Sequence, residues 1–305
     1  PKVLITCAAY RYAGKDIDQT DKINGILEQL PTLRQLIIVP YAQPHAHVEA
    51  YRTRAEVTLW DDFYQAGGEA DFVPVPFNHP LYVLYSSGTT GVPKCIVHST
   101  GGVLLQHVKE HGLHCDLGPG DRLFYYTTCG WMMWNWLVSA LAVGSAVVLY
   151  DGSPFHPDNQ RLLDLIDDER ISVFGTSPKF LATLESSGAK PRESHDLRSL
   201  KTLLCTGSAL SPQSYDFVYR DFKPDVCLAS MSGGTDIVSC FVNANPLTSV
   251  RRGEIMGKSL GMAVQVWNDA GQPVIGEKGE LVCTRHFPAM PIGLWNDPDG
   301  AKLRQ

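Results

Sequence analysis

The sequence predicts an α/β fold, with parallel sheets flanked by helices and then the start of a β-rich, barrel-like subdomain. Short aliphatic runs alternate with segments of helical pattern, as βαβ crossovers require. From Cys240 the texture changes: Gly253, Gly257, Gly261, Gly271, Gly276 and Gly279 separate short strand-like runs such as AVQVWN and GELVC, the signature of tight turns between strands. A length of 305 residues is enough to bury a substantial core.

Taken in order, KVLITC reads as a strand and Thr20 to Leu30 as a helix. LRQLIIVPY is a strand ended by Pro40, which lacks the N–H that a ladder needs. The polar stretch from Gln43 to Asp71, with Gly67-Gly68, reads as a surface excursion. LYVLY has the look of a buried strand; the loop YSSGTTGVPK follows, and then a helix over Thr100 to Gly112. RLFYYTT is the next strand. No charged residue lies between Arg122 and Asp151, so WMMWNWLVSALAVGSAVVLY imitates a membrane span, which needs about 20 apolar residues. Gly144-Ser145 splits it, leaving a buried helix and then a buried strand. RLLDLIDDER is helical, ISVFGTS a strand, and PKFLATLESSG a helix opened by Pro178 and stopped by Gly188. LKTLLCTG is a strand, SPQSYDFVYRDF a helix and VCLASMSG a strand. The expected subdivision is 1–98, 99–240 and 241–305.

The net charge is −6 and no cluster of Lys or Arg stands out. A nucleic-acid partner is not expected, because phosphate backbones select dense basic surfaces. The eight cysteines form no CxxC pair, which argues for reduced, mostly buried thiols in a cytoplasmic protein and against a zinc ribbon. The opening PKVLITCAAY turns polar at Arg11 and Lys15, unlike a signal peptide. Without an initiator Met, and ending on NDPDGAKLRQ, the sequence reads as the middle of a longer chain.

The stretch Tyr85 to Lys94, YSSGTTGVPK, is mostly Ser, Thr and Gly and closes on Pro-Lys. After a strand, such a loop gathers N–H and O–H donors into a concavity that binds anions, phosphates above all. Lys94 adds a fixed positive charge. The order Val-Pro-Lys-Cys after Gly91 excludes a Walker A loop.

The string SSGTTGVPK resembles the phosphate loop of the acyl-adenylate-forming superfamily. GWMMWNW, LLCTGSALSP and SMSGGTD follow in the order that superfamily requires. YRYAGKD, CIVHSTGG, GWMMWNWLVSALA, DGSP, SGGTDI and GELVC resemble the acetoacetyl-CoA synthetases more narrowly, over Tyr10 to Asn296. The resemblance implies a ligase that uses ATP and CoA as substrates and Mg2+ as cofactor, forming an acyl-adenylate from a short β-keto acid. Its partners are small molecules, with no membrane involved; the oligomeric state stays open. It implies that Ser86, Ser87, Gly88, Thr89, Thr90, Gly91 and Lys94 cradle the phosphates, with Lys94 and Thr235 catalytic. Adenine would lie against Gly207, Ser208, Ala209, Ser230, Met231 and Ser232. Trp131, Met132, Thr206 and Gly233 would wall the acyl pocket, Gly233 replacing a Trp that closes the pocket of acetate-using relatives. Asp236, where the superfamily usually has Glu, would hold Mg2+. The ribose-binding Asp segment and the C-terminal lid domain with its catalytic Lys are not in this sequence, nor is the N-terminal part of the large domain; the chain alone is expected to be inactive.

His107 to His111, HVKEH, matches the H-x-x-E-H pattern of inverted zincins; the expectation is instead a helix with a polar outer face. Asp167-Asp168-Glu169 is expected to be a solvated face, and Ser99 and Ser208 sit in no serine-hydrolase motif. The alternatives are a synthetase for another short or medium-chain acid and a noncatalytic nucleotide-binding fragment.

Overall fold

The computed structural model describes residues 1–42, 47–86 and 93–304. They form two compact units, Pro1–Val73 with Asp151–Arg161, and Pro74–Tyr150 with Leu162–Gln305. The expected boundaries at 98 and 240 both fall inside the second unit.

The first unit carries a three-stranded parallel sheet ordered Val3–Cys7, Gln35–Val39, Glu56–Leu59. The central strand buries Leu36, Ile37 and Ile38 completely, each contributing about 1.5–3 kcal/mol of apolar burial. The helix Thr20–Leu27 lays Ile23 and Leu27 into the same core. Glu56–Leu59 corrects the expectation of a polar excursion over 43–71. It has only Val57 and Leu59 to offer a core, too short an alternation to stand out in a polar stretch.

The second unit is built on a five-stranded parallel sheet ordered Cys227–Ser230, Thr202–Cys205, Val173–Thr176, Arg122–Tyr125, Ala146–Val148. The central strand VFGT is buried throughout, as parallel strands covered on both faces are. The helices Met132–Ser139, Arg161–Asp168, Pro178–Ser186 and Pro212–Phe217 fall where the sequence places them. Ser177 and Ser211 cap the last two by accepting from Phe180 N and Ser214 N. Gly144, at φ +79°, ends the apolar helix region. Ala146–Val148 follows as a half-exposed edge strand, not the buried strand expected. No helix among the described residues is long and apolar enough to cross a membrane.

Pro80–Ser86 also differs from expectation. It is a half-exposed edge strand, with Tyr85 69% exposed. Its partner is Lys94–Ser99, antiparallel, with Ser86 opposite Lys94 and Tyr82 opposite His98. Beyond Ser230 the pairing becomes antiparallel: Ser232–Gly234, Ser239–Asn243 and Gly257–Lys258 form one sheet, and Pro273–Val274, Val264–Trp267 and Glu280–Cys283 another.

The helix Thr100–Lys109, continued by the π-helical turn Glu110–His114, reverses its expected faces. Gln106, His107, Glu110, His111 and His114 are buried, whereas Leu104, Leu105 and Leu113 are at least half exposed. The polar outer face expected of HVKEH is therefore an inner face, and hydrogen bonds explain it. His114 Nδ1 donates to Ala244 O at 2.6 Å and Nε2 accepts from Leu260 N at 3.0 Å. His107 Nε2 donates to Val238 O at 2.6 Å. Burial without such partners would cost about 1–3 kcal/mol per polar group.

Candidate functional site

The carboxyl ends of parallel strands are where α/β sheets bind ligands, because loops diverge there. Three such ends converge on one cavity. Thr206–Ala209 follow Thr202–Cys205, Met231 and Ser232 follow Cys227–Ser230, and Trp131 lies past Arg122–Tyr125. The cavity is about 410 Å³. Of the residues predicted from sequence, Trp131, Met132, Thr206, Gly207, Ser208, Ala209, Ser230, Met231, Ser232, Gly233 and Thr235 all line it. The sequence reading missed Met133, Gly234, Ser239, Cys240 and Ile255 in the same lining. Met133 and Gly234 lie within the quoted GWMMWNW and SMSGGTD motifs and could have been found; the other three lie in no motif.

Local bonds fix this mouth. Thr206 Oγ1 donates to Met231 O at 2.8 Å and Met231 N to Cys205 O at 2.9 Å, tying two strand ends together. Tyr125, fully buried, donates to Thr176 O at 3.1 Å and meets Trp131 edge-on at 6.0 Å. Burial raises the Cys205 thiol to about 12 and lifts that of Cys240 well above the ordinary range, so Cys240 faces the cavity protonated and is no nucleophile.

Gly233 lines the cavity for a reason the sequence did not give. A Cβ built there would stand 1.9 Å from Ser239 O and 2.6 Å from Cys240 Cα. The register of Ser232–Gly234 against Ser239–Asn243 shifts at this point. A side chain at 233 is therefore directed at the neighbouring backbone, and a Trp requires that strand to move.

The wall formed by Ser239 and Cys240 is braced from behind. Glu110 Oε1 accepts from Ser239 Oγ at 2.6 Å and from Cys240 N at 3.2 Å, while Oε2 accepts from Trp136 Nε1 at 2.9 Å. Burial pushes the Glu110 carboxyl up, but the Lys109 charge, the Ser239 hydroxyl and the Cys240 amide together hold it below the ordinary range. Gln106 Nε2 donates to Ser239 Oγ at 2.6 Å.

Ser86 and Lys94 face each other across the antiparallel pair, Lys94 exposed. Ser87, Gly88, Thr89, Thr90 and Gly91 lie outside the described residues. Asp236 is exposed beside Thr235, and no hydrogen bond or ion pair engages its carboxylate among the described residues. No group of three or more His, Cys, Asp or Glu able to hold a metal occurs among the described residues, so HVKEH forms no zinc site there. All eight cysteines are free; Cys115, Cys205 and Cys240 are buried and Cys129 is exposed, fewer buried than expected.

The family model of AMP-binding enzymes matches residues 1–290. An acetoacetyl-coenzyme A synthetase of Rhizobium meliloti (strain 1021) is 58% identical over 100% of this chain and 46% of its own length. The acetoacetyl-CoA synthetase of Gallus gallus is 48% identical over the same shares. Among solved structures, the acetoacetyl-CoA synthetase from Streptomyces lividans superposes with a TM-score of 0.92 at 43% identity, over 100% of this chain and 46% of that one. The chain thus spans about half the length of the curated relatives it matches. With the match to the family model running over nearly all of its residues, the chain belongs to the AMP-binding enzyme family.

Proposed function

We propose that this chain carries the nucleotide and acyl sites of a cytoplasmic ligase that converts acetoacetate, ATP and CoA to acetoacetyl-CoA, AMP and pyrophosphate. The observation that carries this reading is one cavity of about 410 Å³ lined by the expected adenine and acyl residues together with Thr235. The names of the similar proteins support the substrate.

In this reading adenine lies against Gly207–Ala209 and Ser230–Ser232, and the acyl group against Trp131, Met132, Thr206 and the bare wall at Gly233. The carboxylate of the acid attacks the α-phosphorus, pyrophosphate leaves, and the acyl group passes to the thiol of CoA. Thr235 contacts the α-phosphate, and Ser86 to Gly91 with Lys94 hold the others. Positioning and charge neutralisation carry such chemistry, and the protonated Cys240 agrees with a route that needs no covalent enzyme intermediate. The residues present fit Mg2+: a hard cation of this kind is held by one or two carboxylates plus substrate phosphates, and Asp236 offers one exposed carboxylate that makes no hydrogen bond or ion pair among the described residues. Bound there, the metal would neutralise phosphate charge.

The test is acid-dependent exchange of pyrophosphate into ATP by the full-length protein, with acetate, butyrate and acetoacetate compared. Exchange strongest with acetoacetate is expected. Exchange strongest with another acid refutes the substrate, and no exchange in a folded protein favours a noncatalytic nucleotide-binding role.

A further inference from the structure

The strand Lys94–Ser99 carries the expected phosphate-binding cation at its first residue and a buried histidine four positions on. Side chains alternate across a strand, so residues 94, 96 and 98 share one face. His98 is 0% exposed, and its Nε2 lies 3.0 Å from the carbonyl oxygen of Thr235, a residue 137 positions away in sequence. A carbonyl only accepts, so Nε2 carries the proton and donates. Burial brings the His98 pKa down to about 4 against the pull of the Thr235 bond and of Asp236, and the ring is neutral at pH 7. Its Nδ1 has no hydrogen-bond partner among the described residues, nor has the hydroxyl of Tyr82 on the paired strand.

A buried imidazole with one nitrogen unpaired is a poor choice for packing alone, since an apolar side chain avoids the desolvation cost. What the histidine adds is one bond to the turn that presents Thr235 and Asp236. That turn has little holding it from within. Its internal bonds, Ile237 N to Gly234 O at 3.2 Å and Val238 N to Thr235 O at 3.3 Å, are long. Val238 stands at φ +49°, a conformation β-branched residues avoid, and such strain persists only where the surroundings impose it. His107 Nε2 grips the far end at Val238 O, 2.6 Å away.

We infer that His98 is a positioning residue, fixing the Thr235–Asp236 turn at a set distance from the phosphate-binding end of its own strand. This rests on the adenylation reading above. The strand is the ruler, with Lys94 at one mark and the Thr235 carbonyl held at the other, so that the groups expected at the α-phosphate and at the outer phosphates keep their spacing.

The test compares His98→Gln, His98→Asn and His98→Leu in the full-length protein, measuring kcat and KM for acid-dependent exchange together with thermal midpoints. The Gln amide reaches the place of Nε2; the Asn amide stops short of it. His98→Gln is expected to keep kcat within about threefold of wild type, and the other two to lose about tenfold or more, as for one lost positioning bond. KM for the acid should stay within about twofold, and kcat should not follow the thermal midpoints, because the bond acts on geometry. Three variants falling together, or falling in step with their midpoints, overturn the assignment and leave the adenylation reading standing. A wild-type protein without exchange sinks that reading first, and this assignment with it.

Discussion

Glu110 accepts a hydrogen bond of 2.6 Å from Ser239 Oγ across 129 residues of sequence. The bond joins the π-helical turn Glu110–His114 to a wall of the cavity. With Trp136 Nε1 on its other oxygen, the carboxylate braces both the apolar helix Met132–Ser139 and the strand Ser239–Asn243. Glu110→Ala leaves several buried donors unpaired and should cost about 3–5 kcal/mol, the range for breaking a buried charged pair. Ser239→Ala should cost about 1 kcal/mol. Urea unfolding of the two variants checks the order; equal losses would show that Glu110 braces nothing beyond Ser239.

Gly233 faces backbone, not empty space. Gly233→Ala should lower the thermal midpoint and cut exchange with every acid alike, because the strand behind it must shift by more than an ångström. Gly233→Trp should do so more severely instead of converting the enzyme to acetate. A stable, acetate-preferring Gly233→Trp variant would contradict the geometry.

Acid should destabilise the protein before its carboxylates titrate. Burial lowers His98 to about 4 and His111 to about 3, and His107 and His114 shift the same way. Below the ordinary histidine value the unfolded chain takes up protons that the folded one refuses. Stability is thus full above about pH 6.5 and falls as pH drops toward 4, by about 1.4 kcal/mol per pH unit for each such histidine. Urea midpoints at pH 7, 6 and 5 should decline steadily; a flat profile would mean that these rings take up protons while folded.

Lys94→Ala should reduce acid-dependent exchange roughly a hundredfold, the loss typical of one preorganised charge. Asp236→Asn should raise the Mg2+ concentration needed for half-maximal exchange. Unchanged Mg2+ dependence in Asp236→Asn would remove it from the metal site.

The parallel sheet was legible because each βαβ unit repeats its own punctuation, as Pro178 and Gly188 do around one helix. The cavity was legible because its residues sit at strand ends in motifs read as strings, from GWMMWNW to SMSGGTD. Lys94–Ser99 was not: KCIVHS is short, half polar, and paired to an edge strand. The inward face of HVKEH was hidden for a different reason. Its burial depends on the Val238 carbonyl and the Ser239 hydroxyl, far along the chain, and on a left-handed Val238 that nothing local announces. Gly233 was singled out from sequence, but the direction of its missing side chain belongs to the strand behind it.

The most direct measurement is a crystal structure of the full-length protein with a non-hydrolysable acyl-sulfamoyl adenosine carrying the acetoacetyl group. The adenine should lie against Gly207–Ala209, the acyl group between Trp131, Met132 and Gly233, and the sulfamoyl group beside Thr235. Occupancy of any other pocket, with this cavity left free, would contradict the assignment of the site.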